Sequence, residues 1–203
     1  MIDTNAINDL HHRMVQLWHE NDVQIENPYD GLLQVVCQQF RYNFLLWHEE
    51  DVARSPDAGD ARIARVKRAI DGYNQQRNDW IERIDDWITA DLERQGVRPA
   101  DDAPLNTETA GSVIDRLSIL ALRIYHLEEQ LERLDASPDH LEKVRLRLAI
   151  CFAQQEDLSR SLTELIADIY AGRKRHKTYR QLKMYNDPTL NPYLYRAARR
   201  LAG

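Results

Sequence analysis

Apolar positions recur at helical spacing through most of this chain, and the most regular stripe lies near its middle. Val113, Leu117, Leu120, Ile124, Leu127, Leu131 and Leu134 are separated by 4, 3, 4, 3, 4 and 3 residues, the heptad-like form that helix bundles bury. Between Val113 and Leu127 the other faces are apolar too, through Ile114, Ile119, Ala121, Leu122 and Tyr125. The helix Glu108–Leu134 is therefore expected to be surrounded on all sides. Asp115 and Arg116 interrupt the run, with Gly111, Ser112 and Ser118 beside them. Glu108, Asp115 and His126 return to nearly one face at intervals of 7 and 11 residues. A polar seam on a buried helix is either an internally satisfied ion-pair network or the wall of a site.

Four other stripes flank this one. Ile7, Leu10, Met14, Leu17 and Trp18 predict a first helix from Asn5 to Glu20, capped by Thr4 or Asn5. Pro28 and Gly31 mark the turn after it. Leu33, Val36, Cys37, Phe40, Phe44 and Trp47 predict a second, from Asp30 to Arg54, whose seam turns polar at His48 and Asp51. The third, Asp60–Arg94, is the longest and would span roughly 50 Å. Its stripe of Ile63, Val66, Ile70, Tyr73, Ile81, Ile84, Ile88 and Leu92 holds one charged residue, Arg77, flanked by Asn74 and Asn78. Arg77 is expected to face the bundle interior. Residues 96–107 read as a loop, and Asn106 or Thr107 as the cap of the central helix, with Glu108 in its first turn. Ser137-Pro138 starts a fifth helix on Leu141, Val144, Leu148, Cys151, Phe152, Leu158, Leu162, Leu165 and Ile169, ending near Ala171 before Gly172. A short last helix is expected from Pro192. The sum is all-α: an antiparallel bundle of four long helices, with a short N-terminal helix and a packed C-terminal tail. It forms one domain over 1–203, divided into residues 1–28, the core 30–171 and the tail 172–203.

Charge alters this picture at one place. The net charge is −6, but residues 172–203 carry nine Lys/Arg against Asp187 alone, or +8, which leaves −14 on residues 1–171. A basic, Tyr-rich tail on an acidic body can bind nucleic acid or fold back on its own bundle. The second is expected, with Tyr179, Tyr185, Tyr193 and Tyr195 covering the helices and no nucleic acid bound. With 7 Gly and 7 Pro in 203 residues there are few turns for an all-β fold. No apolar run reaches the roughly 18 residues of a membrane span, and the N-terminus has no secretory signal, so the protein is expected in the cytoplasm. Cys37 and Cys151 fall on the stripes of different helices and are expected as buried thiols.

Several segments resemble the motif blocks of a bacterial family of proteins of unknown function, numbered 4254. They are WHEEDVAR (Trp47–Arg54), NQQRNDWIERID (Asn74–Asp85), TETAGSVIDRLSILALRIYH (Thr107–His126) and YRQLKMYNDPTLNPYLY (Tyr179–Tyr195). Arg123 stands where Lys is expected and Leu127 where Met is. The resemblance implies little chemistry. Members are often encoded beside glycosyltransferases of the heptosyltransferase type, which implies a link to cell-envelope sugar assembly and a glycosyltransferase as partner.

The same blocks contain the polar residues that interrupt the stripes: His48, Asp51, Asn74, Arg77, Asn78, Glu108, Asp115 and Arg116. On neighbouring helices these can converge as one cluster, with Arg77 as the partner of Asp115. No metal or other cofactor is expected. A di-iron bundle needs Glu-x-x-His on two helices, and Leu45 and Arg123 stand where those glutamates would precede His48 and His126; HEEDV is not H-E-x-x-H. A Mg²⁺-dependent nucleotide pyrophosphatase has only a faint echo in His48/Asp51 and Glu82/Asp85. Arg77, Arg116, Asn74 and Asn78 suit a phosphate or sugar ligand. Buried pairs that only set helix register are the other reading. The expected function is thus an interaction or scaffold protein, with a bundle that binds or transforms a phosphorylated metabolite, sugar phosphate or nucleotide as the alternative. An open pocket among these groups would favour the latter. The sequence leaves the oligomeric state open, a homodimer included.

Overall fold

The computed structural model describes residues 2–21, 27–182, 184, 187–194 and 196. It contains the helices α1 (Thr4–Glu20), α2 (Gly31–Arg54), α3 (Asp60–Arg94), α4 (Ala110–Leu131) and α5 (Pro138–Tyr170). No strand occurs among the described residues, only an isolated bridge between Leu105 and Arg175. Three of the five starts, those of α1, α4 and α5, follow local capping chemistry. The Asp3 side chain accepts from Asn5 N, Thr109 from Ser112 N and Ser137 from His140 N, with Pro138 in the first helical position. Two expected caps are corrected here. α1 is capped by Asp3 and α4 by Thr109, so Glu108 lies outside α4 rather than in its first turn.

α2, α3, α4 and α5 alternate in direction, as expected of the four long helices. Arg77 meets Asp115 and Asp85 meets Gly111, which runs α3 against α4, and Leu120 and Ile124 pack on Cys151 of α5. α1 differs. His11 lies on Phe40 and His19 on His48, so α1 runs parallel to α2 and is a full member of the bundle. Its Ile7, Leu10, Met14, Val15 and Trp18 are buried in one core with Val36, Phe40 and Phe44 of α2, Ile84 and Ile88 of α3, Ile114, Leu117 and Leu122 of α4, and Leu162 and Ile166 of α5.

The stripes overreach at their ends. Leu131 and Leu134 are exposed, Leu131 as the last residue of α4 and Leu134 beyond its end. Leu17 and Phe152 are exposed too. Trp18 and Cys151, their neighbours, take the buried side, and successive helical residues are about 100° apart. Cys37 and Cys151 are buried free thiols, and burial pushes the Cys37 thiol up to about 12. The described part of the tail packs on the acidic body. Arg173 and Lys174 pair with Asp168, Arg180 with Glu82 and Asp86, and Arg175 donates to the Asp101 carbonyl. Tyr179 and Tyr193 are exposed, so these two do not cover the helices as expected. Tyr185, Tyr195, Lys183, Arg199 and Arg200 lie outside the described residues. Residues 192–194 are helical, as the sequence suggested.

Candidate functional site

Between α2 and α4 the apolar core is interrupted at two levels. These helices run in the same direction, so residues further along one meet residues further along the other.

At the first level stands Asp115, 5 % exposed. Its Oδ1 accepts from Gln39 Nε2 at 2.7 Å, Asn43 Nδ2 at 2.9 Å and Arg77 Nε at 2.7 Å, and its Oδ2 accepts from Arg77 Nη2 at 2.5 Å. Asn43 also donates to Ser118 Oγ, which donates to the Asp115 carbonyl. Arg77 thus faces inward from a continuous α3, and its hydrogen bonds to Asp115 hold the guanidinium above its ordinary value. The pairing is two-pronged, the strong form of the interaction, and two amides add further hydrogen bonds to Oδ1. Gln39 Oε1 is left without a partner.

Outside this network lies a cleft of about 590 Å³. Trp47, Asp51, Arg54, Asn74 and Arg77 supply its polar and aromatic wall, and Ile70, Ile119 and Leu122 its apolar floor. Arg77 bridges the two, since its inner edge holds Asp115 while its side chain reaches the cleft. Arg54 is paired with Glu50.

Between α3 and α4 a third polar contact sets the spacing. Asp85, 2 % exposed, accepts the Gly111 N–H at 2.8 Å. A Cβ on Gly111 would lie 2.7 Å from the Ile81 carbonyl oxygen, so only glycine lets the helices approach this closely. Burial pushes the Asp85 carboxyl up, while the Thr109 hydroxyl and the Gly111 amide oppose that shift.

At the second level three imidazoles meet: His19 from α1, His48 from α2 and His126 from α4. One ring nitrogen of each lies within 4.8 Å of the others. The Nε2 atoms of all three are buried without a hydrogen-bond partner. The outer nitrogens are engaged on two rings: His19 Nδ1 on the Val15 carbonyl and His126 Nδ1 on Glu129 Oε2, both at 2.7 Å. Tyr125 stacks on His19 at 4.1 Å between centroids and Trp47 on His126 at 4.8 Å. Burial, then the His19 and His126 rings beside it, lower the His48 pKa.

The eight sequence candidates therefore do not form one cluster. Arg77 and Asp115 pair as expected, and Asp51 and Asn74 share the cleft with Arg77. His48 belongs to the histidine group instead, five and nine residues beyond Asn43 and Gln39 and so roughly 7 to 13 Å further along α2. Asn78 faces the tail and accepts from Gln181. Glu108 and Arg116 form an exposed pair of their own at 2.9 Å. Gln39, Asn43 and His19 carry no mark in the sequence reading, while Ser118 stands there only as part of the polar seam and Asp85 only as half of the Glu82/Asp85 pair. Gln39 and Asn43 carried a signal, since they lie four residues apart on the buried side of a helix. His19 carried none, because its meaning depends on which helices meet.

No helix among the described residues is long and apolar enough to cross a membrane. No curated protein and no solved structure matches the chain. A family model described as "Protein of unknown function (DUF4254)" matches residues 33–178, a span holding α3, α4, α5 and all but the first two residues of α2, and the chain belongs to that family.

Proposed function

We propose that this protein binds a small hydroxylated metabolite bearing an anionic group, of the sugar-phosphate class, in the cleft beside Arg77. One observation carries the reading: the cleft joins an aromatic side chain, Trp47, to the polar groups of Asp51, Asn74 and Arg77 over an apolar floor. Sugars are held by that combination of aromatic contact and mixed donors and acceptors, and a guanidinium suits a phosphate. The Asp115 network fixes Arg77 in place and is structural in this reading. A thermal-shift screen with sugar phosphates, nucleotide sugars and nucleotides tests it, because a ligand of the folded state raises the melting temperature. Asn74→Ala and Asp51→Asn are expected to weaken the hit about tenfold or more while leaving the melting temperature of the free protein unchanged. No shift with any member of the panel, or unchanged affinity in both variants, defeats the reading.

A second reading, a docking protein in envelope sugar assembly with a glycosyltransferase as partner, has one observation in its favour. Leu146, Ile150 and Phe152 are exposed along α5. Charge substitutions at these three positions would abolish co-purification with such a partner and leave metabolite binding intact. Cytoplasmic residence belongs to both readings.

A further inference from the structure

We propose that His19, His48 and His126 bind a divalent first-row transition ion, Zn²⁺ in the first instance, through their three Nε2 atoms, with a fourth position left to water or a ligand atom. This does not rest on the metabolite reading and concerns different side chains.

Three observations carry it. The first is convergence: three helices each deliver one imidazole to the same level, with ring nitrogens within 4.8 Å. Tetrahedral coordination at about 2.0–2.1 Å places nitrogens roughly 3.3 Å apart, so side-chain rotations of about an ångström close the site. The second is the orphaned state of the Nε2 atoms, all buried and without a partner. A buried ring nitrogen without a partner is unfavourable unless something satisfies it. The third is the outer hydrogen bonding. An Nδ1–H donated to the Val15 carbonyl, and another to Glu129, put the lone pairs of His19 and His126 on Nε2. A metal-binding histidine is usually oriented in this way, by a carbonyl or carboxylate on its far nitrogen.

The donor set selects the ion. Three neutral nitrogens without a carboxylate among them suit Zn²⁺, Co²⁺, Ni²⁺ or Cu²⁺ and disfavour Mg²⁺ and Ca²⁺. Three protein ligands are also the number that leaves a tetrahedral ion with one exchangeable position. Trp47 stacks on His126 and also lines the cleft, so the ion would sit behind the cleft wall.

The test uses the full chain without a polyhistidine tag, stripped by a chelator and titrated with ZnCl₂ and CoCl₂. The expected result is one ion per chain and visible Co²⁺ bands of a four-coordinate, nitrogen-rich site. His48→Gln and the double variant H19Q/H126Q should bind at least 100-fold more weakly, and the exposed His12→Gln as wild type does. Glu129→Gln should weaken binding about 10- to 100-fold. Imidazole ¹⁵N spectra of the wild type, which need no variant to fold, should show three Nε2 signals moving on Zn²⁺ addition. The proposal is overturned by a wild type that gives no such Co²⁺ spectrum, by folded variants that bind as tightly as wild type, or by fewer than three Nε2 signals moving.

Discussion

Asp115 and His48 are both polar residues in the interface between α2 and α4, yet their surroundings are opposites. Around Asp115 the charges are answered: a carboxylate receives four hydrogen bonds from two amides and a guanidinium, while Gln39 Oε1 lacks a partner. Around His48 three imidazoles meet, a ring nitrogen of each within 4.8 Å of the others, and the Nε2 of each is buried without a partner. Complementary groups that satisfy one another fix which helices meet and at what height, and only the part of Arg77 that reaches the cleft is left for a ligand. Identical groups that make no hydrogen bond through Nε2 are held in place by something else, here the stacked Tyr125 and Trp47 and the outer hydrogen bonds. The first arrangement is explained by folding. The second is not, and that difference separates a structural network from a site.

The comparison breaks most visibly at its satisfied end. Asp115→Ala strips the acceptor from Arg77, Gln39 and Asn43 together, and Arg77→Ala leaves the carboxylate buried without its charge partner. Each is expected to cost about 3–5 kcal/mol, measured by urea denaturation. The double variant Arg77→Met/Asp115→Leu should cost much less than the sum, because no charge is then stranded. Additive losses would mean that the pair is not the unit drawn here.

A solitary histidine provides the next test. His11 is fully buried, both of its ring nitrogens are without partners, and Phe40 lies 4.8 Å away. It shows that an unanswered imidazole alone makes no site, since nothing converges on it. Burial lowers its pKa from 6.5 to about 3. Above pH 6.5 the ring is neutral in both states and stability is unaffected. As pH falls below 6.5 the unfolded chain takes up a proton that the folded one refuses, and stability drops until pH reaches about 3. The slope is about 1.4 kcal/mol per pH unit, so by pH 4.5 the loss is about 3 kcal/mol. His11→Leu should remove that part of the acid sensitivity and be neutral or stabilising at pH 7. A steeper acid limb in the variant would contradict the assignment.

Gly111 sharpens the structural side. Gly111→Ala gains helix propensity of about 1 kcal/mol but drives a methyl group against the Ile81 carbonyl and Asp85. Neither can step aside without moving α3, so a net loss of about 2 kcal/mol is expected in thermal or urea unfolding. An unchanged midpoint would show that α3 and α4 can separate at no cost there.

What was legible in the sequence follows from the same distinction. The helices announced themselves through period and the Ser137-Pro138 restart, because these are local; the caps of α1 and α4 lay at Asp3 and Thr109 and not where the sequence suggested. Arg77 and Asp115 were legible as a pair because each stood alone as a charge on an otherwise apolar stripe. Gln39 and Asn43, which complete the network, leave a weaker trace, since neutral amides interrupt a stripe less sharply than charges do. The tail's docking on Glu82, Asp86 and Asp168 was legible as charge complementarity. The histidine group was not, because metal motifs are read as spacings along one helix and this group takes one residue from each of three. Its recognition needed α1 to run parallel to α2, which no local pattern states. The ends of the stripes misled for a related reason: period says which face is apolar, and only the neighbours decide whether that face is covered, as Leu131 and Leu134 show.

The smallest expected effect is the most informative. His48→Leu in the metal-free protein removes a nitrogen that accepts no hydrogen bond and replaces it with apolar volume beside Phe44. If the Nε2 atoms are as unanswered as the geometry draws them, the change in unfolding free energy stays within about 1 kcal/mol of wild type, in either direction. That is far below the loss at Asp115 in the same helix interface. The same pair of proteins is then compared with Zn²⁺ present. Wild type should gain melting temperature in proportion to the logarithm of ion concentration, and His48→Leu should not. A loss in the metal-free variant as large as that of Asp115→Ala would mean that His48 is already bonded within the fold. The two levels of the α2–α4 interface would then be alike, and the histidines would be one more structural network.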